Sequence, residues 1–286
     1  MASNRRPEHK APPEIFYNED EARKYTSNSR MIEIQSQMSA RAIELLALPE
    51  DAEGCLILDL GCGSGLSGEV IEEQNHVWIG VDISQWMLNV ALERDIENGD
   101  LVLGDLGQGL PFRAGSFDGA ISISALQWLC NADKKSHNPV KRLYILFSTL
   151  YACLSRGSRA VFQFYPENSS QAELITQQAM RAGFTGGIVV DYPNSTKAKK
   201  WFLVLFTGGS NNQLPKGLTN EREETSSVSY SNTTQRDASK RYKNLKGKPL
   251  KKSKEWILQK KERRRRQGKE VRPDSKYTAR RRCGRF

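Results

Sequence analysis

Three aspartates in the first half of the chain stand at points where an apolar segment ends. Asp59 follows the run Leu56-Ile57-Leu58, Asp82 follows Gly80-Val81, and Asp105 follows Gly104. Glycines at alternate positions come directly after the first of these acids, and glycine lets a backbone approach a ligand closely. A carboxylate at the second position can accept hydrogen bonds from both hydroxyls of a ribose. The chemistry that these residues favour is the binding of a nucleoside-sized ligand.

The spacing of the glycines separates two classes of nucleotide site. A dinucleotide fingerprint requires G-x-G-x-x-G, and Leu66 stands where its last glycine belongs. The pattern here is an acid followed by G-x-G-x-G, formed by Gly61, Gly63 and Gly65. The glycine motif by itself is also compatible with a tight turn that binds nothing. A single acid is also compatible with a solvated surface side chain. Three successive strand ends that carry acids favour one shared pocket.

The elements that must position these residues alternate between strand and helix. Apolar runs predict strands at residues 55–60, 77–81, 101–103, 117–123, 159–164, 187–191 and 201–206, with helices at 67–74, 84–94, 139–154 and 170–182. Such alternation predicts an α/β fold with a mostly parallel sheet covered on both faces. The short connection before the last strand predicts that this strand runs antiparallel. Helical periodicity over residues 19–48 predicts N-terminal helices ahead of the glycine turn.

Charge is distributed unevenly along the 286 residues. Residues 1–209 hold 19 Lys+Arg against 25 Asp+Glu, and residues 210–286 hold 24 against 8. A basic tail of this kind predicts a polyanionic partner, most commonly nucleic acid, with a solvated tail for solubility or nuclear import as the alternative. The mean hydropathy of −0.60 and the absence of a run of roughly 20 apolar residues argue against a membrane protein. No signal or transit peptide is apparent.

The composition divides the chain into four regions. We predict an N-terminal arm at 1–18, a folded domain at 19–208, a Ser/Thr/Asn-rich linker at 209–235 and a basic region at 236–286. Within the last region, Trp256, Ile257 and Leu258 are the predicted anchor of a basic helix. The five cysteines and three histidines show no metal-ligand spacing, so we predict no metal site and no disulfide framework.

The acid and glycine loop resembles the cofactor loop of class I S-adenosylmethionine-dependent methyltransferases, which have a Rossmann-like sheet. The resemblance implies S-adenosylmethionine as cofactor and N-terminal lid helices. It implies cofactor contacts from Arg30, Asp59, Gly61, Cys62, Gly63, Gly65, Asp82, Ile83, Asp105, Leu106 and Ser124. Residues 117–128 resemble the fourth-strand motif, which implies that Gln127 and Trp128 face the methyl-accepting group. A surface position for Arg30 and core packing for Trp128 are the alternatives.

A closer resemblance extends over essentially the whole chain. Segments 12–17, 21–25, 107–109, 121–130, 165–168 and 190–195, with Trp256 and arginines 263–266, resemble the eukaryotic 18S rRNA (guanine-N7) methyltransferases of small-subunit ribosome biogenesis. The resemblance implies methylation of one guanine of 18S rRNA in the pre-40S particle, in the nucleus and nucleolus, with the cytoplasm as a further location. It also implies a small zinc-binding activator protein as partner. The strand between Leu101 and Gly104 is a predicted sheet edge, which is open to strand addition.

Guanine N7 carries a lone pair and no proton, so its methylation needs no general base. We therefore expect Gln127 and Trp128, with Tyr165 or Tyr192, to position the base. Two other functions are open at this stage. The protein could act mainly as a ribosome assembly factor whose methyl transfer is dispensable, or as a small-molecule methyltransferase that carries a localisation tail.

Overall fold

Seven strands form one mixed sheet. They are β1 (Leu56–Leu60), β2 (Val77–Asp82), β3 (Gly99–Leu103), β4 (Phe117–Ile123), β5 (Leu154–Phe164), β6 (Thr185–Asp191) and β7 (Lys200–Phe206). Their order across the sheet is β3-β2-β1-β4-β5-β7-β6. The first five run parallel, and β7 runs antiparallel to both of its neighbours. The predicted α/β sheet and its antiparallel last strand are confirmed.

The computed structural model describes residues 6–49, 54–94, 96–195, 198–208, 214–219, 254–268 and 270–274. The chain divides into two compact units, residues 1–222 and 223–286. In the first unit the helices are α1 (Pro13–Phe16), α2 (Glu19–Ser27), α3 (Ser29–Leu46), α4 (Leu66–Glu73), α5 (Gln85–Leu92), α6 (Pro139–Cys153) and α7 (Ser169–Arg181). Short 3₁₀ turns occupy Pro7–His9, Leu106–Gln108 and Leu126–Cys130.

Helices cover both faces of the sheet because the strands are apolar on both sides. On one face Leu143, Leu146 and Phe147 of α6 pack against Phe162 of β5. On the other face α3 packs through a second buried cluster that includes Met38, Ala42, Leu45, Trp78 and Phe202. With both faces covered, the free positions for a ligand lie at the carboxyl ends of the parallel strands.

The helical pattern over residues 19–48 is divided into two helices at Asn28. The Asn28 side chain accepts hydrogen bonds from the backbone N–H of Arg30 and Met31 and so caps α3. Asparagine at this position satisfies donors that the first turn of a helix leaves unpaired. A new helix therefore starts here instead of continuing α2, which turns α1 and α2 toward the glycine turn.

The two edges of the sheet differ. Residues 214–219 lie along β6, where Tyr192 N–H donates to Leu218 O at 2.6 Å and Leu218 N–H donates to Asp191 Oδ1 at 2.8 Å. These residues fall within the predicted linker, yet they pack against β6. Leu214 contacts Gly187, and Gly217 lies so close to the strand that a Cβ on it would be 2.2 Å from Val190 O. Among the described residues, none pairs with the outer side of β3.

The second unit contains α8 (Lys254–Arg266), which agrees with the predicted basic helix. Lys261 Nζ donates to Arg272 O at 3.0 Å and to Asp274 Oδ1 at 2.7 Å, and Arg265 donates to Asp274 Oδ2 at 2.5 Å. These bonds fold residues 270–274 back along the helix. The remainder of the predicted linker and the basic clusters at 251–252 and 280–282 lie outside the described residues. No described helix combines the length and apolarity that a membrane crossing requires.

Candidate active site

A cavity opens at the carboxyl ends of β1, β2, β3 and β4. Its wall is built from the glycine turn after β1, the residues that follow the other three strands, and side chains from α1 and α2. Of the three acids that the sequence singled out, Asp82 and Asp105 therefore line one cavity.

The glycine turn forms the floor of this cavity. Gly61 has φ of +75°, and a Cβ there would lie 2.3 Å from the Cβ of Ala125. Gly63 has φ of +53°, and a Cβ there would lie 2.9 Å from Met87 Cε. The backbone conformation therefore favours glycine at both positions, and at Gly61 the Cβ of Ala125 excludes a side chain as well. Gly65, with φ of +77°, is the N-cap residue of α4 and is not part of the cavity wall.

Asp59 lies beneath this floor and is fully buried. Its Oδ2 accepts a hydrogen bond of 2.5 Å from Ser67 Oγ, and its Oδ1 has no partner among the described residues. Burial raises the pKa of Asp59 to about 7, although the Ser67 hydrogen bond opposes the rise. The side chain joins β1 to the first turn of α4 and so shapes the glycine turn from below; it does not line the cavity.

Asp82, at the end of β2, does line the cavity. Its Oδ2 accepts a hydrogen bond from Gly63 N–H at 2.8 Å and its Oδ1 accepts one from Ser84 N–H at 2.8 Å. Burial raises the pKa of Asp82, and the backbone N–H groups of Ser84 and Gly63 oppose that rise. The carboxylate is therefore held in one orientation, with acceptor capacity left for hydroxyl donors of a ligand.

Asp105 follows β3 and forms the next part of the wall. Its Oδ1 accepts hydrogen bonds from Gly107 N–H at 2.9 Å and from an Arg142 amino group at 2.7 Å. Arg142 also contacts His137 Nδ1 at 3.0 Å. Sequence reasoning missed Arg142 and His137, because both lie on or before α6, far along the chain from β3.

The rings of Tyr17, directly after α1, of Tyr25 on α2 and of Trp128 after β4 line the cavity, and Phe16 of α1 packs against them. The Tyr17 ring lies 5.8 Å from the Trp128 ring and 6.0 Å from the Tyr25 ring, and the Phe16 ring lies 6.0 Å from Trp128. Ser84 Oγ donates to Tyr17 O at 2.9 Å, which ties this cover to the end of β2. Burial raises the pKa of the Tyr17 and Tyr25 hydroxyls above their usual range. We call Phe16, Tyr17, Tyr25 and Trp128 the aromatic lid.

The turn after β4 places Trp128 in the lid. Ser124 adopts φ of +59°, and its N–H and Oγ donate to the backbone and side-chain oxygens of Gln163 at 2.9 and 2.7 Å. Gln127 Nε2 then donates to Ser124 O at 2.8 Å. Gln127 is buried behind the wall, so the structure gives it a role in holding this turn and not the base-facing position expected for it.

The predicted site residues therefore fall into two groups. Those that line the cavity are Gly61, Cys62, Gly63, Asp82, Ile83, Asp105, Leu106, Ser124 and Trp128. Those outside its wall are Arg30, Asp59, Gly65 and Gln127. Arg30 is exposed on the first turn of α3, so its expected pairing with a cofactor carboxylate has no support in this geometry. Tyr165 and Tyr192 also lie outside the wall.

Comparisons with known proteins decide the family. A family model described as "Methyltransferase involved in Williams-Beuren syndrome" matches residues 205–284, and a methyltransferase domain model matches residues 57–143. The mouse 18S rRNA (guanine-N(7))-methyltransferase is 62% identical over 287 residues, which cover 100% of both chains. The 18S rRNA (guanine(1575)-N(7))-methyltransferase of Saccharomyces cerevisiae is 50% identical over 98% of this chain and 99% of the yeast protein.

The chain belongs to the 18S rRNA (guanine-N7)-methyltransferase family. Its fold is similar to that of a solved Haemonchus contortus phosphoethanolamine N-methyltransferase 2, with a TM-score of 0.52 and 18% identity over 68% of this chain and 58% of the other. Methyltransferases of this fold class use S-adenosylmethionine, so the sheet and the cavity agree with the predicted cofactor.

The residues that line the cavity are also chemically suited to this cofactor. Ser64 Oγ is buried in the wall and has no hydrogen-bond partner among the described residues, so it is available to a polar ligand group. The carboxylates of Asp82 and Asp105 are acceptors suited to ribose hydroxyls and to an exocyclic amine. Acidic groups also favour the positive charge of a sulfonium. Among the described residues, no group of three or more His, Cys, Asp or Glu side chains could hold a metal ion.

Proposed function

We propose that this protein transfers the methyl group of S-adenosylmethionine to N7 of a guanine in 18S rRNA, as a step of small-subunit biogenesis. The observation that carries the proposal is the convergence of the glycine turn, Asp82 and Asp105 beneath an aromatic lid. Relatives that match this chain over nearly its whole length, at 50–62% identity, bear the name of that activity.

Cofactor binding rests on groups whose geometry is fixed before any ligand arrives. Asp82 is oriented by two backbone N–H donors, so its carboxylate can accept the ribose hydroxyls without reorganising. Asp105 lies at the next strand end, where the adenine of a ribose-bound nucleoside would lie. Bound S-adenosylmethionine supplies an electrophilic methyl group on a cationic sulfur.

The acceptor side of the reaction needs alignment and little else. Guanine N7 presents an in-plane lone pair and carries no proton, so no side chain has to remove one. Trp128 lines the cavity and packs against Phe16 and Tyr17. We propose that the target base stacks on this ring, an interaction worth about 1–3 kcal/mol. Holding the base in line with the methyl group is the main source of rate enhancement available here. The target guanine must be accessible outside a paired A-form helix.

An Asp82→Ala variant tests this activity in cells that lack the native protein. We expect loss of cofactor binding by calorimetry and loss of N7-methylguanine from 18S rRNA, mapped by chemical cleavage at that base. Glu173→Gln, which removes an exposed acid from α7, is the matched control and should keep both. Persistence of the modified guanine with Asp82→Ala would contradict the proposal. Normal 40S production without methylation would show that assembly is a separate role of the chain.

We also propose that a small zinc-binding activator adds a strand to the open β3 edge. Leu103 on this strand is 58% exposed, which is high for a large apolar side chain, and an unpaired edge is a template for strand addition. Leu103→Glu should reduce co-purification with the activator. Val140→Glu, an equally drastic change at an exposed position on α6, should not. Equal retention by both variants would argue against this edge.

The basic region is proposed to bind rRNA phosphates and to direct the protein to the nucleus and nucleolus. Arginines 263–266 are consecutive on α8, so they present charge around the helix and favour backbone contacts over base reading. Deletion of residues 236–286 retains residues 214–219 on β6. We expect weaker RNA binding with a shallower dependence of log affinity on log salt. An unchanged slope would contradict RNA binding, and unchanged nucleolar fluorescence of the fusion would contradict targeting.

A further inference from the structure

Arg142 reaches from α6 to the cavity wall and joins two groups there. One amino nitrogen donates to Asp105 Oδ1 at 2.7 Å, and the other lies 3.0 Å from His137 Nδ1. A guanidinium has only donors, so His137 Nδ1 accepts this bond and the ring proton sits on Nε2. The side chains of Arg142 and Asp105 are 12% and 13% exposed, so the pair is largely shielded from water.

The two oxygens of Asp105 are used unequally. Oδ1 accepts from both Gly107 N–H and Arg142, whereas Oδ2 has only a long contact of 3.4 Å from Gln108 Nε2. Two strong donors on one oxygen fix the rotation of the carboxylate, because any turn breaks both bonds at once. Oδ2 therefore remains the oxygen with free acceptor capacity at the cavity wall.

Gly107 makes room for this arrangement. A Cβ at residue 107 would lie 2.1 Å from Arg142 Nε and 2.7 Å from Arg142 Cζ. The backbone at Gly107 does not adopt a positive φ, so alanine would be excluded only by the guanidinium and not by backbone strain. The glycine and the arginine thus depend on each other, although they lie on different elements of the fold.

We propose that Arg142 is a positioning residue that holds the Asp105 carboxylate with Oδ2 directed to the exocyclic amine of the cofactor's adenine. The inference rests on the proposed function, since a nucleoside whose ribose lies at Asp82 extends its base toward the neighbouring strand end at Asp105. A carboxylate oxygen accepts a hydrogen bond from an amine and repels the carbonyl that replaces the amine in hypoxanthine. Arg142 would accordingly set selectivity for the base without touching it.

The test compares two ligands on the full-length chain by isothermal titration calorimetry. S-adenosylhomocysteine carries the amine, and S-inosylhomocysteine carries a carbonyl in its place. We expect the unaltered protein to prefer the first by about 100-fold, the order of magnitude for losing one hydrogen bond to a charged acceptor. Arg142→Gln should reduce that preference about tenfold, and Arg142→Lys should fall between them. Arg94→Gln, which removes another partly buried arginine ion pair away from the cavity, should leave the preference unchanged.

A double substitution separates positioning from folding. Gly107→Ala alone should lower the preference for S-adenosylhomocysteine over S-inosylhomocysteine. In a protein that also carries Arg142→Ala, the clash is gone and Gly107→Ala should change this preference little. Weaker binding of both ligands with an unchanged preference would show a merely structural role and overturn the inference. Equal binding of both ligands by the unaltered protein would also overturn the inference, but it would not contradict cofactor binding at this site. Failure of the unaltered protein to bind S-adenosylhomocysteine would instead overturn the proposed function.

Discussion

Arg41 on α3 and Asp191 at the end of β6 form a two-point ion pair across 150 residues of sequence. Nε donates to Asp191 Oδ2 at 3.0 Å and an amino group donates to Oδ1 at 3.2 Å. A further bond of 3.2 Å joins Arg41 to Lys216 O, and Leu218 N–H donates to Asp191. This pair therefore fastens the segment at 214–219 to the β6 edge, from which the chain continues toward the basic region.

Removing the charge of Asp191 should destabilise the first unit. Asp191→Asn leaves a guanidinium that is only 12% exposed without its main counterion, and breaking a buried pair from one side costs about 3 kcal/mol. Urea denaturation measures the loss, and hydrogen exchange should show faster exchange at residues 214–219. Glu44→Gln removes the other carboxylate near Arg41, which is 52% exposed, and should cost less than about 1 kcal/mol. Equal losses in both variants would contradict this account.

Gly61 should tolerate no side chain, whereas Gly115 should tolerate one with a small loss. Both residues have positive φ, which costs an L-residue roughly 1–2 kcal/mol. At Gly115 nothing lies within 4 Å of an added Cβ, but at Gly61 the Cβ of Ala125 lies at 2.3 Å. Gly61→Ala should therefore lose about 1–3 kcal/mol more by overpacking and should abolish calorimetric binding of S-adenosylhomocysteine. Retained binding would show that the turn can move aside.

Asp59 should make the folded state less stable as the pH rises from about 4 to about 7. Its pKa is near 7 in the folded protein because of burial and near 3.9 when unfolded, so only the folded state keeps the proton in that window. The free energy of unfolding then falls by up to about 1.4 kcal/mol per pH unit from this group and is constant above the window. Asp59→Asn cannot titrate and should show a smaller fall between about pH 5 and 7. The dependence of the unfolding free energy on pH should be the same for Glu173→Gln as for the unaltered protein. The same dependence for Asp59→Asn would refute this role of Asp59.

Tyr17 should act through its ring and not through its hydroxyl. The ring packs against Trp128 and Tyr25, and the hydroxyl has no hydrogen-bond partner among the described residues. Aromatic pairs are worth about 0.5–1.5 kcal/mol each, so Tyr17→Ala should weaken binding of S-adenosylhomocysteine about tenfold. Tyr17→Phe keeps the ring and should bind normally. Similar weakening in both variants would mean that the hydroxyl contributes.

The sequence of residues within short segments was sufficient to predict the glycine turn and the acids at the strand ends. An apolar run, an acid and alternate glycines specify a strand, its end and a turn within a short segment, from Leu56 to Gly65. The same logic located Asp82 and Asp105, because parallel strands must end at a common edge. It failed for Arg30, since a capping asparagine two residues earlier starts a new helix and leaves that side chain in solvent.

Tertiary structure alone decided which distant groups complete the site. Arg142 lies 37 positions after Asp105, and nothing in an amphipathic helix marks one arginine as reaching a strand end. Gln127 is adjacent to Trp128, yet one side chain is turned behind the wall and the other lies in the lid, because the strained turn at Ser124 sets their directions. Short-range spacing determines where a strand stops and which turn succeeds it. Packing between elements determines which remote side chain arrives there, and that is a property of the folded chain.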